Sequence, residues 1–500
     1  MKRLTRFTVL TVVIAAVASF YVLGGFGNKT GQGTPPDRSI TMPATHLQAM
    51  IHAAPDGSTL EVPAATYVGR VRIDHPLTLV AKGSVVLDGG WLGSVLRITA
   101  PDVTVEGITV RRSGIGPVGS PSGIVVENAD RAQIRDVRIE HSYVGIMVRR
   151  SHDISIEGAR IVGEGLITGE LHAVDPHASQ DMGDMDMGSG TPDGQIRGDG
   201  IWLWNTTDAE VRDSTITGVR DGIYLSYGVH PRLIGNTIAD SRYAVHDMYA
   251  EDLLLQDNTL TGNLSGIVLM YGGPVDVAGN TITESGSPST GFGVLVKDTG
   301  DVTVRDNIIA DNREGLHLDD AGRTGGEPVQ VADNTIAMNQ VGVLLYPSSD
   351  SGFTGNGFVE NSTQVALGGS GATQVDWTVG GVGNYWSDYA GFDRGGDGVG
   401  DVSYSASGRV SRLLAEEPLL AALASGPAFR LMSSLEDRWS AGIPVVRDDA
   451  PILDSHGPAI GGGPAGSPVL LWLIGGTLLA ASVWSLRRSR RPRRVAIGHA

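Results

Sequence analysis

The sequence predicts an all-β chain folded as a right-handed parallel β-helix, and three observations carry that prediction. A Gly-aliphatic-x-aliphatic pattern recurs at Gly123, Gly145, Gly200, Gly222, Ala244, Gly266, Gly293, Gly315 and Gly342, with spacings of 22, 55, 22, 22, 22, 27, 22 and 27 residues. In most units an asparagine falls 14 residues in, at Asn236, Asn258, Asn280, Asn307 and Asn356, while Asn334 arrives five residues late behind an insertion. The composition is turn-rich, with 70 Gly and 24 Pro among 500 residues, and excludes a mainly helical protein. Short aliphatic strands repeating every 22 residues between Gly, Asn and Asp turns fit coils stacked about 4.8 Å apart. Leucine-rich repeats share the period but need Leu-x-x-Leu-x-Leu, which this sequence lacks. The right hand follows from the crossover rule for parallel strands.

From the N-terminus, Lys2, Arg3 and Arg6 precede an apolar run from Phe7 to Phe26, so residues 1–28 read as a signal peptide or signal anchor. The stretch from Thr41 to Ala54 is expected to be a helical cap, which the open edge of a solenoid needs. The β-helix itself is assigned to residues 41–380, in about 12 coils by the repeat count, interrupted by a loop at 165–198. Residues 381–455 follow, with helical periodicity at Leu413 to Ala424 and Phe429 to Trp439 that suits packing on the last coil. A Gly/Pro/Ser linker at 456–467 leads to Pro468 through Leu486, an uncharged stretch of 19 residues that as a helix would span about 28 Å, a transmembrane length. Arg487, Arg488, Arg490, Arg491, Arg493 and Arg494 come next, which places the tail in the cytoplasm and the body outside. The net charge of −17 argues against nucleic acid as a partner. The absence of Cys excludes disulfides and thiolate ligands, leaving His, Met, Asp and Glu for any metal.

Strand alternation points the second and fourth residues after each Gly outward. That column contains Trp202 and Trp204, Tyr224, His246 and Met248, and Met270, an apolar stripe rich in soft ligands. An exposed stripe of this kind marks a binding surface unless another segment covers it. The inserted loop carries His172, His177, Met182, Met185 and Met187 among aspartates, donors suited to transient copper binding. With His246, Met248 and Met270 they make up the candidate metal ligands. The alternative for the loop is a solvated acidic segment. Asp393, Asp397 and Asp401 recur every four residues among glycines and suggest calcium, although the spacing is not that of an EF-hand and simple Asp-Gly turns are the alternative.

The segments RYAVHDMY at Arg242 to Tyr249, GIVLMY at Gly266 to Tyr271 and NYWSDYAGFDRGGDGVGD at Asn384 to Asp401 closely resemble the NosD family, over about residues 45 to 455. The resemblance implies a periplasmic β-helix accessory protein for maturing the copper centres of nitrous oxide reductase. It further implies work alongside the membrane and ATPase subunits of an ABC transporter, a copper chaperone and the apo reductase. It carries over to His246, Met248, Tyr249, Met270 and Tyr271, and with Trp202, Trp204 and Tyr224 the two tyrosines form the expected partner-binding face. The Met/His loop and the Arg-flanked terminal span depart from the family pattern. The competing class is a polysaccharide lyase, epimerase or glycosidase, in which Asp298 and Asp320, at equivalent places in adjacent coils, would do acid/base work beside His317. Asp175, Pro176 and His177 are similar to the Asp-Pro-His-Asp motif of alginate epimerases, but the fourth residue is Ala178.

Overall fold

The computed structural model describes residues 40–116, 118–163, 198–287, 290–322, 327–347, 349–368, 374–406 and 446–459, and the fold is that of the unit beginning at Met42. Twelve parallel strands form one sheet in strict chain order. They are β1 (Val71–Ile73), β2 (Leu96–Ile98), β3 (Ser122–Glu127), β4 (Val144–Arg149), β5 (Ile201–Trp204) and β6 (Asp221–Ser226). The series continues with β7 (Tyr243–Met248), β8 (Ser265–Met270), β9 (Phe292–Lys297), β10 (Glu314–Asp319), β11 (Val341–Leu345) and β12 (Thr363–Leu367). Between successive members from β2 on the chain contributes two short strands to a second, 25-stranded sheet, as with Glu210–Arg212 and Thr215–Thr217; between β1 and β2 it contributes the single long strand Leu77–Asp88. These pair with their equivalents one coil on, Glu210 with Arg232 and Thr215 with Thr237. This is a parallel β-helix.

The register follows the glycine pattern: Met147 opposes Trp202, then Tyr224, His246, Val268, Leu295, His317 and Leu344 in turn. Because β4 pairs directly with β5, the long gap in the spacing is an excursion between two adjacent coils. Inward residues of successive strands, among them Ile201 and Leu203, Ile223 and Leu225, and Ile267 and Leu269, are fully buried in the lumen. The repeating glycine marks a close backbone approach. A Cβ at Gly222 would lie 2.4 Å from the Ile238 side chain and 2.5 Å from the Ala244 carbonyl oxygen.

The asparagines form a continuous buried ladder. Each Nδ2 donates to the Oδ1 of the next, from Asn236 through Asn258, Asn280, Asn307, Asn334 and Asn356 to Asn384, at 2.9–3.0 Å. Asn280 also donates to the Leu255 carbonyl at 2.9 Å and accepts the Asn258 N–H at 2.9 Å. Asn280→Ala therefore strands two donors of Asn258 and one carbonyl in the interior, and should lower stability by about 3 kcal/mol in urea unfolding. A loss below about 0.5 kcal/mol would show that water replaces the ladder there.

Helix α1 (Ala44–Ala53) buries Leu47 and Ile51 and lies against Ser58–Val68 and β1 at the first coil. At the other end, Tyr385–Trp386 is the last strand of the large sheet and pairs with Gly357–Phe358. Trp386 stacks on Phe358 and Tyr404, each 4.2 Å away and within 8° of parallel. The conspicuous NYWS motif is thus the C-terminal cap of the described solenoid. Leu413 to Ala424 and Phe429 to Trp439, expected to pack on the last coil, lie outside the described residues. So do the apolar runs from Phe7 to Phe26 and from Pro468 to Leu486; among the described residues no helix is long and apolar enough to cross a membrane.

Candidate functional site

The outward column of the 12-stranded sheet corrects one expectation. Read from the sequence it is an exposed stripe; in the structure Met147, Tyr224, His246, Val268, Met270 and Leu295 are all buried. Parallel in-register strands place equivalent side chains one above another, so flat rings hide each other's faces. Trp202 stacks on Tyr224 with centroids 5.7 Å apart, and Tyr224 on His246 at 4.9 Å. Tyr243 meets His246 edge-on at 5.1 Å, and with Tyr271 it packs against the cluster of Val268, Met270, Phe292 and Leu295. The column is a second packed layer outside the lumen, with Trp202, Trp204 and Met248 at its half-buried margin.

His246 sits at the centre of this layer. Its Nδ1 lies 3.0 Å from Asp221 Oδ2, and its Nε2 is buried with no hydrogen-bond partner among the described residues. Asp221 is itself clamped by Arg242, which donates from Nε at 2.8 Å and from Nη2 at 2.6 Å. One coil earlier Arg220 grips Asp199 in the same way, at 2.9 and 2.8 Å. Burial alone would raise the Asp221 carboxyl, but the Arg242 charge and the hydrogen bonds from His246 and Arg242 hold it far below the usual carboxylate range. Burial and the Asp221 charge push Asp199 upward against the pull of Arg220. Burial raises the phenols of Tyr224 and Tyr243, so both are neutral. The Tyr224 hydroxyl donates to the Met248 sulfur at 3.5 Å, and Met248 opposes Met270 across the ladder. His246, Met248 and Met270 therefore lie on one face of β7 and β8, beside the aromatic stack.

The buried ion ladder was missed by the sequence reading, although a signal exists. Asp199 and Asp221 stand one residue before the repeating Gly, and Arg220 and Arg242 two before Gly222 and Ala244, in successive coils. Tyr227 was missed as well. It stacks on Tyr249 at 5.0 Å and 4°, and Tyr249 on Tyr271 at 5.2 Å and 18°. All three have left-handed backbone, with φ of 55°, 64° and 63°, where equivalent turns elsewhere use Asn205, Asp298 and Asp320. A left-handed tyrosine costs roughly 1–2 kcal/mol, which ring stacking offsets in part. Tyr227 and Tyr249 remain 54% and 40% exposed, so this ladder, not the column behind it, is the open aromatic edge.

Asp298 and Asp320 occupy adjacent turns, as their spacing predicts. Burial, with the like charges of Asp320 and Asp319, raises the Asp298 carboxyl against the pull of Lys297, whose ammonium bonds Asp319. The neighbours of His317 are aromatic and acidic. It is buried, bonded through Nδ1 to Glu314 at 2.7 Å, and packed between Phe292 and Tyr346. Asp393, Asp397 and Asp401 each accept backbone N–H groups of their own loop, from Gly396 and Gly398, Val399 and Arg394 respectively. Among the described residues no group of three or more His, Asp or Glu side chains is gathered to hold an ion. His172, His177, Met182, Met185 and Met187 lie outside the described residues.

A family model described as "Periplasmic copper-binding protein (NosD)" matches residues 179–391. The "Probable ABC transporter binding protein NosD" of Stutzerimonas stutzeri is 31% identical over 416 residues, 80% of this chain and 87% of that protein. This chain belongs to the NosD family. The Pseudomonas aeruginosa NosD, of the same description, is 30% identical over 406 residues, 79% of this chain and 86% of its own. Among solved structures, a PL6 alginate lyase complexed with a trisaccharide matches at TM-score 0.48 and 13% identity, over 68% of this chain and 85% of its own. That likeness is too loose to bear on chemistry. The NosD match includes the His246 cluster, the tyrosine ladder and the start of the NYWS cap.

Proposed function

We propose that this protein is a membrane-tethered, extracytoplasmic NosD that carries copper for assembly of the copper centres of nitrous oxide reductase. Its partners in this reading are the membrane and ATPase subunits of an ABC transporter, a copper chaperone and the apo reductase. The observation that carries the reading is His246, whose buried Nε2 has no hydrogen-bond partner among the described residues, on the strand face that also carries Met248 and Met270, in a chain of a family described as copper-binding. Imidazole and thioether donors, with no thiolate in the chain and no gathered carboxylate set among the described residues, suit copper among the metals available outside the cell. The loop residues His172, His177, Met182, Met185 and Met187 would capture the ion. Tyr249 and Tyr271, together with Tyr227 and the half-buried Trp202 and Trp204, would dock the partner that delivers or receives it. Pro468 to Leu486 would hold the body at the outer face of the membrane, with the arginine tail inside.

Titration of the full chain with Cu(I) against a competing chromophoric chelator tests this. His246→Ala should weaken binding by about a hundredfold or more, since even an outer-shell partner is worth about 10–100-fold. Deletion of 165–198 should lower the stoichiometry while leaving the His246-dependent site in place. Unchanged binding in both variants would end the copper reading. The carbohydrate-enzyme alternative is the less favoured reading: Asp298 and Asp320 sit in adjacent turns, while the His317 ring packs between Phe292 and Tyr346 and bonds Glu314.

A further inference from the structure

We infer that Asp221 is a positioning residue that fixes His246 as its Nδ1–H tautomer and so makes Nε2 the ligand atom of the site. The inference deepens the copper reading and rests on it for the identity of the ligand, but its first step concerns this chain alone. Both Asp221 oxygens accept from Arg242, and Oδ2 also faces His246 Nδ1 at 3.0 Å. An acceptor crowded by a guanidinium has only a lone pair to offer the ring, so Nδ1 must be the donor. A neutral imidazole with its proton on Nδ1 has its free lone pair on Nε2. That atom is the buried one without a partner among the described residues, an expensive arrangement if nothing is ever bound there. Carboxylate behind histidine behind metal is the usual way a protein fixes ring orientation and raises ligand basicity.

The Arg242 clamp does not by itself call for the contact with His246. If Asp221 served only to satisfy Arg242, the bidentate clamp would suffice, as it does for Arg220 and Asp199, where no histidine is attached. The stack of Tyr224 and the edge of Tyr243 leave the ring no other hydrogen-bond partner toward which to turn among the described residues. The position of the ring is thus set by aromatic packing, and its proton by Asp221.

The test is nitrogen and carbon NMR of the His246 ring in the full chain, combined with Cu(I) titration. In the wild type Nδ1 should carry the proton and Nε2 should be unprotonated. In Asp221→Asn the carboxamide oxygen stays with Arg242 and its NH₂ donates to Nδ1, which moves the proton to Nε2. Cu(I) affinity of the folded variant should then fall by about 10–100-fold, alongside a loss of stability from neutralising the carboxylate that Arg242 clamps. A wild-type ring protonated on Nε2, or an Asp221→Asn ring with the proton still on Nδ1, would overturn the inference whatever copper does. A moved proton with unchanged affinity, while His246→Ala loses copper, would overturn it too. If His246→Ala leaves copper binding untouched, His246 is not a ligand and the second step of the inference fails, while the ring signals still decide whether Asp221 sets the tautomer. Should Asp221→Asn not fold, the wild-type spectrum alone remains decisive.

Discussion

Replacing Asp247 by asparagine should stabilise the protein at pH 8 by several kcal/mol and flatten its stability profile between about pH 4 and about pH 8. Asp247 is an inward-facing residue of β7, opposite Leu225 and Leu269 in the neighbouring coils. It is fully buried; Oδ1 accepts the Ala250 N–H at 3.2 Å, and Oδ2 has no partner among the described residues. Burial pushes its carboxyl up to about 8, with only the Ala250 hydrogen bond pulling the other way. The folded state therefore keeps this proton over a range in which the unfolded chain, with an ordinary carboxylate near 3.9, has released it. Stability is fully present below about pH 4 and declines as pH rises to about 8, a span worth about 5 kcal/mol. Urea unfolding at pH 5 and pH 8 would show the wild type losing most of that difference and Asp247→Asn losing little. Equal slopes in the two proteins would mean that Asp247 is ionised in the fold.

Asp448→Ala should remove about 4 kcal/mol by opening the C-terminal end of the solenoid. Asp448 is fully buried on the short strand Val446–Asp448. Its oxygens accept the Asn384 N–H at 2.7 Å, the Trp386 indole N–H at 2.9 Å, the Thr378 hydroxyl at 3.0 Å and the Ala450 N–H at 3.1 Å. Truncation strands donors at the foot of the asparagine ladder and frees the tryptophan that covers the last coil. Amide exchange should accelerate first around Phe353, Phe358 and Trp386, with α1 and the first coils unaffected. Uniform protection with an unchanged midpoint would show that the cap is not held by Asp448.

The repeat was legible because a stacked solenoid writes its geometry into the chain at fixed intervals. Gly222 recurs because two coils touch there, and Asn280 because one buried amide must bond those above and below. The site was legible in part. His246, Met248 and Met270 stand out by residue type and share one strand face, whereas Asp221 and Arg242 look like ordinary turn charges until the ring of His246 is placed beside them. The NYWS motif invited a reading as a loop with acidic turns, yet its tryptophan is a lid whose acceptor lies 62 residues further on.

The sequence by itself determined the coil, the register of its columns and the family resemblance, since each depends on spacing along one chain. Only the tertiary structure decided which columns are open. Alternation separates lumen from exterior, but stacked rings and edge-on neighbours bury Tyr224, His246 and Met270 on the exterior side, while left-handed turns carry Tyr227 and Tyr249 out to solvent. Burial depends on what lies across the gap in three dimensions, and a period of 22 residues records only what lies one coil above and below.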